Sequence, residues 1–304
     1  YESSGNSGSN WNTFTAREFM FEEYSGTIGA WADVDVSGDG VPAGATGVIL
    51  RIDNTSATDY ALAVRKNGST DIRTPFILGN RNTGAMVGID ANRIFEAYID
   101  NTAAKVYLIG YTTDSTDFFT NSLDKTPAST DGTTYYDIDV SGVGEAPSGA
   151  TGVLVELFAS TQTAMSAGVR KNGSTDTYMY SAIGAPDTAA GRHIYQACGL
   201  DASRIFEARL SNVNLKLMVI GYFMAPVSFE TNAITYALSA TLAWTNITVN
   251  QGASPADADG ALWMVQNSAA ATAYDFGVRK EGSTDASLAE MRQVQTVALF
   301  CGLD

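Results

Sequence analysis

Oxygen-bearing side chains occupy every second position between Asp33 and Asp39. Asp33, Asp35, Ser37 and Asp39 alternate with two valines and a glycine, and a second glycine follows. This spacing resembles a calcium-binding loop, in which oxygen ligands recur at alternate positions around a glycine turn. A matching segment later in the chain has Val143 in place of Asp39. Because alternate residues of a β-strand share one face, we favour a solvated strand face and expect no metal here.

Two later segments could supply paired carboxylates for glycoside cleavage. Asp90 and Glu96 lie in the sequence GIDANRIFEA, and Asp201 and Glu207 lie in GLDASRIFEA. Both pairs recur together with nearby arginines, and repeated acids beside repeated arginines favour loop anchors and ion pairs over catalysis. The predicted structural ion-pair residues are Arg65, Glu96, Arg170 and Glu207.

Few side chains could act as nucleophiles or soft metal ligands, because the chain has one histidine, His193, and two cysteines, Cys198 and Cys301. So few residues of these types exclude a zinc site with several His and Cys ligands. The positions that match His193 elsewhere in the chain are not histidine, so a catalytic triad built on His193 could form only once. We interpret His193 as a surface or turn residue. The cysteines match Val87 in position, which indicates small buried sites. We predict no enzyme activity and no cofactor.

The net charge of −15 comes from 33 acidic and 18 basic residues. Nucleic-acid backbones and anionic membranes attract clustered Lys and Arg, so we predict no nucleic-acid partner. No apolar run approaches the roughly 20 residues that span a bilayer, so we predict no membrane insertion. A charged fraction of only 17% with 29 glycines is typical of an exported or particle-bound β protein.

One seven-residue sequence occurs three times. VRKNGST stands at Val64–Thr70 and Val169–Thr175, and VRKEGST stands at Val278–Thr284, at spacings of 105 and 109 residues. Longer flanking matches, such as GATGVILRI at Gly44–Ile52 and GATGVLVEL at Gly149–Leu157, extend the similarity. A self-match at this period indicates tandem copies of one small domain.

Strand patterns run through each copy. Valines and aspartates alternate over Asp33–Val36, which predicts a strand with one buried face, whereas Val48–Leu50 is continuously apolar and suits a strand covered on both faces. Asn-Gly predicts a type I′ hairpin turn. The predicted fold is all-β, with tandem antiparallel β-sandwich or jelly-roll-like domains of about seven strands. The predicted turn residues are Asn67, Gly68, Asn172, Gly173 and Gly282.

The repeats predict the domain boundaries. We expect an N-terminal arm and leading strand at 1–27, and β-sandwich repeats at 28–118, 130–225 and 235–304. The third repeat ends without counterparts of the RIFEA and IGY segments, so we expect it to be truncated, completed by further chain, or completed in trans by a neighbouring subunit. The predicted core residues of the first repeat are Trp31, Val34, Val36, Val48, Leu50, Phe95 and Ile109.

Four motifs together carry a resemblance to a known family. They are the GVIL-type strand, the VRKNGST turn, the RIFEA segment and the closing IGY strand. In combination they resemble repeated domains in structural proteins of tailed-phage virions, especially marine ones. The resemblance implies a head-decoration, tail or fibre role, usually as an oligomer.

These observations favour a non-enzymatic structural or attachment protein of a virion or extracellular filament. Its modules would self-assemble, and its partners would be further copies or other subunits of the particle. The alternative is a secreted cell-surface adhesin or carbohydrate-binding module whose partner is a surface glycan. An enzyme is the third hypothesis, because most candidate catalytic residues do not repeat and the carboxylates that do recur lie beside recurring arginines.

Overall fold

The described part of the protein is all-β, as predicted. The computed structural model describes residues 28–77, 79, 81–161, 165–177, 181–183, 193–236, 243–249, 260–267, 274–278, 281–282, 289–291 and 295–302. All nineteen elements within these ranges are strands, and every strand pair is antiparallel. No helix in these ranges is long and apolar enough to span a membrane.

Seven strands build the first repeat. A four-stranded sheet with the order β1-β6-β3-β4 packs on a three-stranded sheet with the order β5-β2-β7. The strands are β1 (Trp31–Asp35), β2 (Gly47–Asn54), β3 (Tyr60–Lys66), β4 (Phe76–Ile77), β5 (Arg81–Gly88), β6 (Ile94–Ile99) and β7 (Ala104–Thr112).

The second repeat reproduces this topology. Its sheets have the orders β9-β14-β11-β12 and β13-β10-β15, and the second gains β8 (Thr116–Asp124) beside β15. The seven strands are β9 (Tyr136–Asp139), β10 (Ala150–Ala159), β11 (Met165–Lys171), β12 (Ser181–Ile183), β13 (His193–Gly199), β14 (Ile205–Leu210) and β15 (Leu215–Met224). The boundary predicted at residue 118 falls inside β8.

Two strand pairs are described in the third repeat. The first joins β16 (Gly260–Asn267) to β19 (Gln295–Gly302), and the second joins β17 (Tyr274–Phe276) to β18 (Ala289–Met291). The predicted N-terminal arm at 1–27 lies outside the described residues.

The apolar run in β2 is buried on both faces. Val48 and Leu50 point into the core between the two sheets of the first repeat. Ile49 points the opposite way and is 1% exposed, because it meets Leu154 of the second repeat. Alternate residues of one strand therefore serve two different cores, which explains why the segment Val48–Leu50 contains no polar residue.

Two predicted core residues of the first repeat lie elsewhere. Trp31 is half-buried on the outer face of β1, with its ring 5.8 Å from that of Tyr98. Ile109 is 44% exposed, because the register between β2 and β7 shifts where Ile49 pairs with Gly110 and Leu50 with Leu108. The extra residue of a β-bulge has no partner and breaks the alternation of faces. Val34 is half-buried, and Val36, Val48, Leu50 and Phe95 are buried.

The prediction of a type I′ hairpin turn was wrong. The Ser69 N–H donates to the Lys66 carbonyl, which closes a β-turn, but only Gly68 has a positive φ, of 77°. A type I′ turn needs positive φ at both central residues, whereas one positive φ at the third position fits a type II turn. The chain then leaves the sheet instead of doubling back beside β3, and β4 pairs with the far end of β3.

We expect Phe95→Ala to lower the free energy of unfolding by about 3–5 kcal/mol, because it removes a fully buried ring. Ile109→Ala should change it by less than about 0.5 kcal/mol, because that side chain lies on the surface. Urea unfolding followed by tryptophan fluorescence measures both. Equal losses for the two variants would contradict the bulge assignment.

Candidate functional site

The repeated VRKNGST turn binds the segment that leaves its own repeat. Lys66 Nζ donates a hydrogen bond of 2.8 Å to the Phe118 carbonyl. Asn121 Oδ1 accepts hydrogen bonds from the Ser69 hydroxyl at 3.1 Å, the Thr70 N–H at 2.7 Å and the Thr70 hydroxyl at 3.1 Å. The turn thus holds both ends of the sequence Phe-Phe-Thr-Asn. We call this arrangement of turn and bound segment the clasp.

The clasp has a floor made of two glycines. Gly47 of β2 and Gly88 of β5 pair with each other, and the Phe118 side chain lies on both. A Cβ on either glycine would overlap Phe118. Phe118 is consequently 4% exposed although it lies outside the two sheets of the first repeat.

The second repeat forms a clasp with the same contacts. Lys171 Nζ donates to the Phe229 carbonyl at 2.8 Å, and Asn232 Oδ1 accepts from the Thr175 N–H at 2.9 Å. The Phe229 side chain lies on Gly152 and Gly199, which again pair across two strands. Two copies with one geometry indicate that the motif holds a Phe-x-Thr-Asn segment.

Arg65 and Glu96 face each other across β3 and β6. Arg65 Nε and Nη2 donate to the two carboxylate oxygens at 2.9 and 3.0 Å, and the guanidinium stacks 4.1 Å above the Trp31 ring. Arg170 makes the same two-pronged contact with Glu207, at 2.7 and 3.3 Å. Two-pronged contacts of this kind orient both side chains and engage both oxygens of each carboxylate.

Asp90 and its counterpart Asp201 anchor loops. Asp90 Oδ1 accepts the N–H groups of Asn92 and Ile94, both at 2.9 Å, and Oδ2 accepts from the Asn67 side chain at 2.9 Å. Burial acts to raise the pKa of Asp90, but these hydrogen bonds to the charged form lower it overall. The pKa of Asp201 is lowered in the same way. The loop passes through Arg93, whose φ of 67° is left-handed.

The calcium-like carboxylates lie along a strand and its following turn. Asp33 pairs across the sheet with Glu96, and Asp35 Oδ1 accepts the Ser37 N–H at 2.8 Å. That N–H lowers the pKa of Asp35. Among the residues that the structure describes, no group of three or more His, Cys, Asp or Glu side chains is placed to hold a metal ion. Asp39 lies in the turn, where its N–H donates to the Val36 carbonyl.

A buried charged cluster lies where the first two repeats meet. Glu156 of β10 accepts from Arg73 Nη2 at 2.9 Å and from His193 Nδ1 at 3.1 Å. Arg73 belongs to the loop after the first turn and also donates to the Ser122 hydroxyl at 2.9 Å. Burial acts to raise the pKa of Glu156, but His193 and Arg73 lower it overall. We call these four side chains the joint cluster.

The interpretation of His193 as a surface or turn residue was wrong. Its side chain is 2% exposed on β13, and its ring makes an edge contact with Tyr195 at 4.8 Å. His193 Nε2 has no hydrogen-bond partner within the described residues. Cys198 is buried and free, and burial raises the pKa of its thiol, so little nucleophilic thiolate is present at neutral pH. The Cys301 side chain lies outside the described residues.

A cavity of about 40 Å³ lies beside the joint cluster, lined by Arg73, Phe118, Glu156 and Tyr195 among others. This space can hold a water molecule. It is far smaller than the roughly 300–1,000 Å³ of small-molecule sites. The joint cluster is therefore better suited to connecting repeats than to binding a substrate.

Comparisons with known proteins assign no family. No family model matches the chain, and no curated protein matches it. Among solved structures, a chain in the atomic structure of Sulfolobus turreted icosahedral virus aligns over 89% of this chain and 77% of its own length, with 8% identity and a TM-score of 0.27. This TM-score is too low to indicate a shared fold or a shared function.

We expect Arg73→Met to lower the free energy of unfolding by about 3–5 kcal/mol, because it leaves the buried Glu156 carboxylate without its arginine. Arg51→Met is the matched control: it breaks an ion pair with Asp53 whose arginine side chain is 30% exposed, at a cost of about 1 kcal/mol or less. Urea unfolding compares the two. A loss no larger for Arg73→Met than for Arg51→Met would show that the joint cluster does not stabilise the fold.

Acid should destabilise the protein. The pKa values of Glu156, Asp90 and Asp201 are lower in the folded chain than their ordinary values. Their contribution to the free energy of unfolding is therefore complete above the unfolded-state pKa of about 4. It is lost as the pH falls through the lower pKa values of the folded chain. Thermal scans should show a constant midpoint from about pH 7 to pH 5 and a fall below about pH 4. A midpoint that rises on acidification would contradict these assignments.

Proposed function

We propose that this protein is a non-enzymatic structural or attachment protein of a virion or an extracellular filament, built from β-sandwich repeats that self-assemble. One observation carries the proposal. The side chains that recur from repeat to repeat bind the polypeptide itself, because the VRKNGST turn holds the segment that leads onward to the next repeat.

The polar side chains of the first turn are occupied by internal partners. Arg65 binds Glu96, Lys66 binds the Phe118 carbonyl, and Asn67 donates to Asp90 at 2.9 Å. A catalytic motif would instead present a nucleophile, an acid or a base towards a cavity that admits substrate. Internal pairing of these side chains supports a structural role for the turn.

The contacts at the joint favour repeats held at a fixed orientation. β8 pairs with β15 of the second repeat while its Phe118 lies on the first, so one strand belongs to both repeats. Ile49 and Met86 of the first repeat pack with Leu154 and Phe223 of the second. Stiffly joined modules set the reach of a protein, and several copies presented together supply avidity.

The location on a virion or filament, and association with further copies, are parts of the proposal that rest on the motif resemblance and the tandem organisation. A net charge of −15 does not suit a nucleic-acid or anionic-membrane partner. A carbohydrate-binding adhesin remains the alternative against which the proposal is tested.

Negative-stain images of the native source should show a regular particle or filament that antibodies to this chain decorate. Light scattering of the purified chain should show oligomers of fixed stoichiometry that dissociate on dilution. A glycan array is the counter-test. A monomeric chain that binds one defined glycan, with no antibody label on any particle, would overturn the proposal in favour of the adhesin.

A further inference from the structure

The contacts between successive repeats follow one pattern. Arg73, which lies just before β4 of the first repeat, donates to Glu156 of the second repeat. In the second repeat β12 holds the place of β4, because each of them pairs with the start of the strand that runs into the VRKNGST turn. β12 contacts β19 of the third repeat. Each of these two repeats therefore meets the next one with the edge of its first sheet.

The third repeat makes the same kind of contact with the first. β18 holds the place of β12, because its partner segment Tyr274–Phe276 lies one repeat spacing of 109 residues after Met165–Ala167, the segment that pairs with β12. β5 and β19 are also equivalent strands, which pair with β2 and β16 up to Gly88 and Gly302. β18 contacts β5, as β12 contacts β19. A head-to-tail contact closes into a ring when the last module meets the first in this way.

The first two repeats face a shared apolar core with the outer sides of their second sheets. Ile49 and Met86 of the first repeat pack with Leu154 and Phe223 of the second, and Phe229 of the second clasp packs against the same cluster. The rings of Phe223 and Phe229 lie 5.5 Å apart. The segment that leads to the third repeat is therefore anchored in the core between the first two.

The third repeat has apolar residues at the corresponding outer positions. In all three repeats the two positions pair with each other across equivalent strands. The three pairs are Ile49 with Met86, Leu154 with Ala197, and Leu262 with Phe300. Large apolar surfaces are seldom left exposed to water, and a face that is apolar in every repeat suits one core that all three share.

We propose that the three repeats close into a ring around this core and that the ring binds a partner site of threefold symmetry. The partner rests on the proposed function, which supplies the particle, whereas the ring does not depend on it. Three equivalent sides make three equal contacts only where three copies of a partner subunit meet, and simultaneous contacts add avidity. The ring uses the head-to-tail contact within one chain, so copies of the chain join through other surfaces.

Distances between spin labels in the full chain test the ring. The labels are placed two at a time at Asp33, Asp137 and Asn246, which are exposed and hold equivalent places in the three repeats. Cys198→Val and Cys301→Val remove the native thiols. We expect the distance from the first to the third repeat to match the other two distances, whereas an open string would make it about twice as long. A first-to-third distance near the sum of the other two would overturn the ring.

A pair of variants tests the shared core. Phe229→Ala should broaden the distribution of first-to-third distances, because it removes the ring that anchors the third repeat. Ile109→Ala is the control, since that side chain lies on the surface, and it should leave the distribution narrow. Circular dichroism verifies that both variants fold. An unchanged distribution in Phe229→Ala would overturn the shared core.

Images of the native particle, averaged around the antibody label, test the partner. We expect the label at positions of threefold symmetry. A label at positions without a threefold axis would overturn the partner and leave the ring in place. A source without particles or filaments would overturn the proposed function and the partner with it, whereas three equal spin-label distances would still support the ring.

Discussion

The close contact between a phenylalanine ring and two facing glycines is the constraint on which the joining of the repeats depends. Phe118 reaches the sheet of the first repeat only because Gly47 and Gly88 have no Cβ. Its position fixes β8, and β8 in turn pairs with β15 of the second repeat. The VRKNGST turn then holds the same strand through Lys66 and Thr70. One short segment, β8, thus takes part in the packing on the first sheet, the strand pairing of the second repeat and the contacts of the turn.

Much of the fold follows from the sequence, because strand periodicity and repeat matches report on local structure. The seven strands of each of the first two repeats and the two-sided burial of β2 were predictable. The bulge at Ile109 was not predictable, because a one-residue shift in strand pairing does not change the hydrophobic pattern of an apolar strand. The turn type was also missed, since Asn-Gly fits turns with one or two positive φ angles equally well.

The joint cluster was missed for a different reason. Comparing corresponding positions of the repeats sets aside residues that occur only once. Glu156 and His193 are such residues, because the first repeat has Arg51 and Asn82 at the corresponding positions. The joint cluster pairs side chains of the second repeat with Arg73 of the first, so its members on β10 and β13 have no equivalents in the first repeat. Comparing corresponding positions therefore finds the clasp, whose contacts recur, and misses the joint cluster, whose residues occur once.

The central claim is that the clasp at Phe118 holds the first two repeats in one orientation. The most direct test is the distribution of distances between spin labels at exposed positions of the two repeats, such as Ile72 and Val213, which are 81% and 71% exposed. The account predicts one narrow distance in the unmodified chain and a broad distribution once Phe118→Ala and Asn121→Ala are combined. A distribution that is already broad before the substitutions, or that stays narrow after them, would contradict it.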